Sequence, residues 1–363
     1  MSLTDLARTG RIVVCCGTGG VGKTTAAAVI ALEGARAGRK AVVVTIDPAK
    51  RLADALGIAE LTNAPKLIEG DWDGELSALM LDTKTTFDTL VEKYAGDPEQ
   101  ARRILANPFY RNISGALSGT QEYMAGEKLY ELHEEGGFDM IVVDTPPTRH
   151  ALDFLDAPRR LTNFLDHRLY RILMAPTRAY LRALNVAAQA FLRTVSRVVG
   201  TEVLDDAMAF FSAFEGMEQG FRERAEHVRA LLADEGTAYV LVASPREDTI
   251  SEARFFAAKL RELGLGVEAL VVNRMHPSFG SGLAEADRER AVTLAAADSD
   301  AAHRLAPLFA NLADFRTVAA AEEGFLAELR DEVAPAPVAR VPFLNDDVHD
   351  LGGLTEVARH LFA

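Results

Sequence analysis

The chain reads as an α/β protein with a doubly wound, mostly parallel sheet and one helical insertion. Three observations predict this. Seven short runs (Arg11–Cys16, Ala41–Ile46, Ala78–Leu81, Met140–Val143, Tyr239–Ala243, Ala269–Val272 and Val338–Val341) are apolar at consecutive rather than alternating positions. Strands covered by helices on both faces need that pattern. Helical stretches such as Thr24–Arg36 and Thr249–Leu263 lie between the runs, as right-handed crossovers require. Finally, the segment from Pro158 to Glu235 carries helical patterning and no strand signature. The expected organisation is a sheet-bearing part over residues 1–157, a helical insertion over 158–235, and the rest of the sheet over 236–363.

The first run leads directly into Gly17-Thr18-Gly19-Gly20-Val21-Gly22-Lys23-Thr24-Thr25 and then into a helical pattern. This is a Gly-x-x-x-x-Gly-Lys-Thr loop in its strand–loop–helix setting. Glycines let successive backbone N–H groups, including those of Gly19, Gly20, Val21 and Gly22, turn toward phosphate. The N-terminus of the following helix adds the positive end of its dipole. Lys23 is expected to neutralise the β- and γ-phosphates, Thr24 to ligate Mg²⁺ through its hydroxyl, and Thr25 to bond the α-phosphate. The predicted ligands are therefore ATP and Mg²⁺, and the sheet-bearing parts form a nucleotide-binding domain with a P-loop NTPase fold.

The second run ends in Asp47-Pro48-Ala49-Lys50-Arg51. A carboxylate at that end of a strand faces the ligand crevice, where it can orient an attacking water. The same residues equally suit a helix N-cap followed by proline; spacing alone leaves both open. The fourth run leads into Asp144-Thr145-Pro146-Pro147-Thr148-Arg149-His150. Asp144 is expected to reach Mg²⁺, directly or through water, with a capping Asp in a tight loop as the alternative.

Helices are expected over Leu161–Leu173, Arg178–Val199 and Val203–Leu232, again from Pro277 to about Ala310, and at Gly353–Ala363. The 363 residues are 48% hydrophobic and 25% charged, with net charge −14. A field of that sign opposes DNA, RNA and anionic lipid, so no nucleic-acid partner is expected. Cys15 and Cys16, the two cysteines, are adjacent. They offer neither a disulfide framework nor a Cys-x-x-Cys zinc site, and zinc is not expected. No run approaches the roughly 20 apolar residues that span a bilayer, and the N-terminus is no secretory signal; the expected location is cytoplasmic. The spacing of His133, His150 and His276 matches no metal pattern; His150, in the switch-like loop, is a candidate nucleotide sensor.

Gly17–Thr25, Asp47-Pro48-Ala49 with Asp54, and Asp144 to His150, in this order, resemble the ArsA-type ATPase family of arsenical pump-driving and tail-anchored protein targeting ATPases, in the deviant-Walker-A P-loop class. Val272-Asn273 and Pro342-Phe343-Leu344, with Leu351 beyond, extend the resemblance. It implies that Asp47 positions the hydrolytic water, that Asn273 reads adenine, and that Pro342 and Phe343 pack on the base. It also implies a nucleotide-dependent dimer. The helical insertion could then bind a hydrophobic client segment, with Phe210, Phe211, Phe214 and Met217 as groove residues; the alternative is that they pack the insertion's own core.

Three departures bear on function. The family carries a lysine at Thr18 that reaches the partner's phosphates, so the partner here is either a second copy or a paralogous ATPase bearing that lysine, as in paired actinobacterial relatives. Arg149 is a candidate substitute cation. No cysteine occurs from His276 to Leu294, where the targeting branch holds its zinc clasp. The metalloid-binding cysteines of the pump branch are also missing, which disfavours a metalloid-efflux role. Two main readings follow: an ATP-hydrolysing targeting or chaperone-like factor, and a weakly hydrolysing regulatory or scaffold subunit. A partition role of the MinD/ParA kind ranks behind them.

Overall fold

In the computed structural model, which describes residues 2–47, 50–113, 120–166 and 201–363, every predicted run forms a strand of one sheet. The strands are β1 (Ile12–Gly17), β2 (Lys40–Thr45), β3 (Lys66–Ile68), β4 (Glu75–Met80), β5 (Met140–Asp144), β6 (Thr237–Ala243), β7 (Ala269–Met275) and β8 (Val338–Pro342). Their spatial order is β3-β4-β2-β5-β1-β6-β7-β8. All pairings are parallel except β3 with β4. The sequence reading lacked β3. It has three residues, two of them exposed, at the sheet edge, so it carries no apolar run to find.

Consecutive apolar positions have their explanation in two separate cores. Val13 and Cys15 point into one with the helix Lys23–Arg36, while Ile12, Val14 and Cys16 point into the other with the helix Glu247–Glu262. Side chains alternate across a strand, so a strand sandwiched between helix layers must be apolar at every position. The C-terminal helix Leu351–Leu361 is N-capped by Asp350, whose Oδ1 accepts from Gly353 N–H at 2.7 Å. It lays Leu354, Val357 and Leu361 into the first core.

A third core is wholly helical. Helices Thr83–Tyr94, Pro98–Ala106, Pro108–Ile113 and Thr120–Glu134 precede β5, whereas Thr148–Asp166, Thr201–Ala213 and Glu218–Leu232 follow it. Both groups contribute to the aromatic-rich cluster that holds Tyr110, Tyr123, Phe210, Phe211, Phe214, Met217 and Phe221. The expected helix over Val203–Leu232 is two helices with a break at Phe214–Met217, where Gly216 takes φ +90°. As far as Asp166, the expected Leu161–Leu173 helix is part of one that opens at Thr148 and passes through Pro158; its remaining residues lie outside the described ones. Residues 167–200, which hold the expected Arg178–Val199 helix, lie outside the described residues.

Between β7 and β8 the chain forms a long helical hairpin, Ala284–Ala295 and Asp300–Val333. Its long helix is apolar on more than one face. Ala306, Ala313 and Leu326 are buried, yet Leu308, Phe315 and Phe325 are exposed.

Candidate functional site

The loop after β1 is shaped by close approaches that only glycine allows. At Gly17 an added Cβ would lie 2.1 Å from the Val242 carbonyl oxygen. Gly22 has φ +98°, and a Cβ there would fall 2.2 Å from Nδ2 of Asn273. That left-handed residue starts the helix Lys23–Arg36, so the free N–H groups of its first turn open at the carboxyl ends of the central strands.

Asp144, at the end of β5, is brought under this helix by the β1–β5 pairing. Its Oδ2 accepts from the Thr24 hydroxyl at 2.7 Å and from the Thr45 hydroxyl at 2.9 Å. Its Oδ1 is buried without a hydrogen-bond partner. Burial pushes the Asp144 carboxyl up to about 6, against the opposing pull of the two hydroxyls and of Lys23. A buried carboxylate oxygen with a lone pair to offer, beside a threonine hydroxyl, is the hard oxygen donor set that Mg²⁺ prefers. The site therefore fits that ion. Asp144 caps no helix here.

Lys23 is buried, and its Nζ donates to the Thr18 carbonyl oxygen at 2.7 Å. Burial lowers its proton affinity, while Asp144 raises it. Thr18 is only 5% exposed, and its hydroxyl oxygen has no partner. Where the family resemblance places a cation directed outward, this chain has a small side chain turned inward.

A cavity of about 680 Å³ opens over these groups. Gly20, Gly22, Lys23, Thr24 and Thr25 line one side, Asp47, Arg51 and Asp54 a second, and Thr145 and Pro147 a third. Asn273, Arg274, Pro342, Phe343, Leu344, Asp346 and Asp347 also line it. Gly19 and Val21 do not line the cavity themselves. A Cβ at Gly19 would sit 3.8 Å from Pro147, and Val21 is buried. Asp47 does not cap the following helix, which opens at Arg51 with Lys50 in the cap position. Its Oδ2 instead lies 3.8 Å from Nη1 of Arg51. Pro48 and Ala49, and the side chains of Arg149 and His150, lie outside the described residues.

Asn273 serves the loop as well as the cavity. Its Nδ2 donates to the Val21 carbonyl at 2.9 Å, and its Oδ1 accepts from the N–H of Arg274 at 2.9 Å. Each end keeps one remaining hydrogen-bonding position for a base edge. Phe343 is 59% exposed and stacks on His276 with ring centroids 5.9 Å apart. The His276 ring is held by Glu322 of the long helix, Nδ1 to Oε1 at 2.6 Å.

Sequence reasoning missed Thr45, Arg51 and Arg274. Arg51 stands four residues after Asp47 at helical spacing, a signal that was available. Thr45 offers none, since a threonine ending a strand is ordinary. Gln121 is another. From the start of helix Thr120–Glu134 its amide donates to the Ile46 carbonyl at 2.8 Å, beside Asp47.

Residues 10–287 match the family described as anion-transporting ATPase, the ArsA ATPases. The chain belongs to that family. It is an ATPase by that membership, and relatives from distant organisms bear the assignment out. ATPase GET3 of Malassezia globosa is 27% identical over 271 residues, 74% of each chain. ATPase GET3B of Arabidopsis thaliana is 28% identical over 311 residues, 78% of this chain and 70% of its own. The arsenical pump-driving ATPase of Acidiphilium multivorum is 25% identical over 362 residues, 94% of this chain but 53% of its own, so this chain spans about half of that relative. The ArsA match begins just before β1 and ends within helix Ala284–Ala295, so the whole of the long hairpin helix Asp300–Val333 lies beyond it. Among the described residues no helix is long and apolar enough to cross a membrane. Cys15 and Cys16 are free and buried beneath the loop. Burial pushes the Cys16 thiol up to about 12 and Cys15 also well above its usual range, which suits core residues better than metalloid ligands.

Proposed function

We propose that this chain is a Mg²⁺-dependent ATPase that works as a dimer and uses ATP to control its helical body. The observation that carries the reading is Asp144, buried with one oxygen on the hydroxyl of Thr24, a cavity-lining residue, and the other without a partner. The N–H groups of Gly20 to Thr25 bind the phosphates, and Lys23 exchanges the Thr18 carbonyl for a phosphate oxygen. Thr24 and Asp144 hold Mg²⁺, which when bound neutralises charge on the β- and γ-phosphates. Asp47 orients the attacking water. The base lies between Asn273 and the Pro342–Phe343 edge.

Two helices carry the state of this site outward. Thr148–Asp166 starts directly after Pro147, and Thr120–Glu134 is tied to the Asp47 loop through Gln121. Both line the aromatic core of the helical body. A hydrophobic client segment is the cargo we favour, on the resemblance of the motifs to those of tail-anchored protein targeting ATPases. Phe210, Phe211, Phe214 and Met217 are buried here, so such a segment would have to open that core.

Thr18 supports a second reading, a weakly hydrolysing subunit paired with a paralogous ATPase, because a buried hydroxyl supplies no charge to a partner. Turnover of ATP in Mg²⁺ and in EDTA, measured for the wild type, Lys23→Ala and Asp144→Asn, tests the first. Metal-dependent turnover abolished by both substitutions is expected. Tight ATP binding with no turnover until a paralogous chain is added would replace it with the second.

A further inference from the structure

We propose that Arg51 is a catalytic cation that acts within its own chain on the γ-phosphoryl group of ATP. The proposal rests on the reading of the cavity as the ATP site. Among the described residues, three cations line that cavity: Lys23, Arg51 and Arg274. Lys23 belongs to the loop. Arg274 follows Asn273, beside Phe343, at the end where the base is placed. Of the three, Arg51 stands with Asp47 and Lys23 at the phosphate end, close enough that its charge is felt at Lys23 and weakens proton binding there.

The hold on Arg51 is loose. Its guanidinium is 3.8 Å from Asp47 Oδ2, and its side chain is 64% exposed. An exposed ion pair of that length contributes little, so exchanging it costs little. A phosphoryl group offers what a guanidinium binds best, two oxygens in one plane. The exchange also serves the second partner, since the Asp47 oxygen now facing Arg51 turns to the water. In the reaction the bond from Pγ to the bridging oxygen breaks, with its electron pair leaving on ADP. The water oxygen bonds to Pγ, and its proton passes by way of Asp47 to the phosphate released. Arg51 is unchanged; it donates hydrogen bonds to equatorial oxygens whose charge it meets most fully in the transition state. With the neutral Thr18 in the loop, this supplies in cis a charge that Thr18 cannot.

The test compares full-length wild type, Arg51→Ala and Arg51→Lys in Mg²⁺. Turnover of Arg51→Ala should fall by about 10²-fold or more, with ATP affinity within a few-fold of wild type. Arg51→Lys should lie between. Millimolar guanidinium should restore part of the turnover of Arg51→Ala and none of that of Lys23→Ala. ADP should still bind Arg51→Ala, while ADP with aluminium fluoride should bind it no better than ADP alone. Turnover of Arg51→Ala within a few-fold of wild type would overturn the proposal, as would lost turnover with normal aluminium fluoride binding and no rescue. If the wild type neither hydrolyses ATP nor binds ADP with aluminium fluoride, the site reading itself fails and takes the proposal with it. If Arg51→Ala does not fold, Arg51→Gln and Arg51→Lys carry the same comparison.

Discussion

At Asp144 two demands oppose each other. The strand end must be buried to sit beneath the loop, yet the proposed role requires the carboxylate to be available as an anion to a metal. Burial raises its pKa from 3.8 to about 6, so between those values the folded chain binds a proton that the unfolded chain has released. Stability from this group is therefore full below pH 3.8 and is lost as pH rises through about 6. The difference amounts to roughly 3 kcal/mol as an order of magnitude. In EDTA, Asp144→Asn should gain thermal stability relative to wild type as pH goes from 5 to 7.5; parallel pH profiles would refute a buried titrating carboxyl. The cysteines give a simpler check. Cys15 and Cys16 are 0% and 1% exposed, so a thiol reagent should find neither in the native protein and both after denaturation. At this scale Lys23, Thr24 and Asp144 were legible because the loop and strand ends carry them in a fixed local order. The Asp47–Arg51 spacing was also there to read, but the same carboxylate equally suited a cap, and only the position of the next helix at Arg51 rejected that alternative.

Among the elements, the phosphate loop depends on two glycines for different reasons. Gly20 and Gly22 both have positive φ, at +79° and +98°. Around Gly20 there is open space, whereas Gly22 is in contact with Asn273. Gly20→Ala should cost about 1 kcal/mol of backbone strain. Gly22→Ala adds a collision and should cost about 2–3 kcal/mol while also weakening ATP binding. Urea unfolding and ATP titration of both variants measure the contrast, and equal losses would argue against the Asn273 contact. In the helical body, Phe214 lies against Phe210 and Phe221 at ring separations of 5.6 and 5.0 Å. Phe214→Ala should destabilise the chain by about 3–5 kcal/mol; a near-neutral effect in thermal unfolding would point instead to a surface that normally stands open. The strands other than the edge strand β3 were legible because burial on both faces writes itself into consecutive residues. Of the helices of the body, those after β5 were expected from their patterning, but the four before β5, the break at Gly216 and the sharing of one core by helices on both sides of β5 were not. Periodicity reports that a face is apolar and says nothing about which element covers it.

The whole molecule presents a charge of −14 and an apolar strip along the hairpin, with Leu308, Phe315 and Phe325 exposed. The strip reaches the cavity rim through ring contacts from Phe315 to His276 and from His276 to Phe343. A nucleotide-dependent dimer should therefore form more readily at high salt, where like charges are screened and apolar contact is not. Light-scattering mass with a non-hydrolysable ATP analogue at low and high salt measures this; a monomer under every condition, joined only by a paralogous chain, would favour the heteromeric reading. The sequence by itself determined the parallel α/β order and the glycine-rich loop with Lys23 and Thr24 at the start of its helix, because those depend on local backbone freedom and on burial along single segments. Only the tertiary structure decided that Asp144 meets Thr24 across 120 positions, that Arg51 shares the cavity with Lys23, and that the phenylalanines of the helical body face inward. Those outcomes depend on which segments come to cover one another, a property of packing over the whole chain that local spacing does not carry.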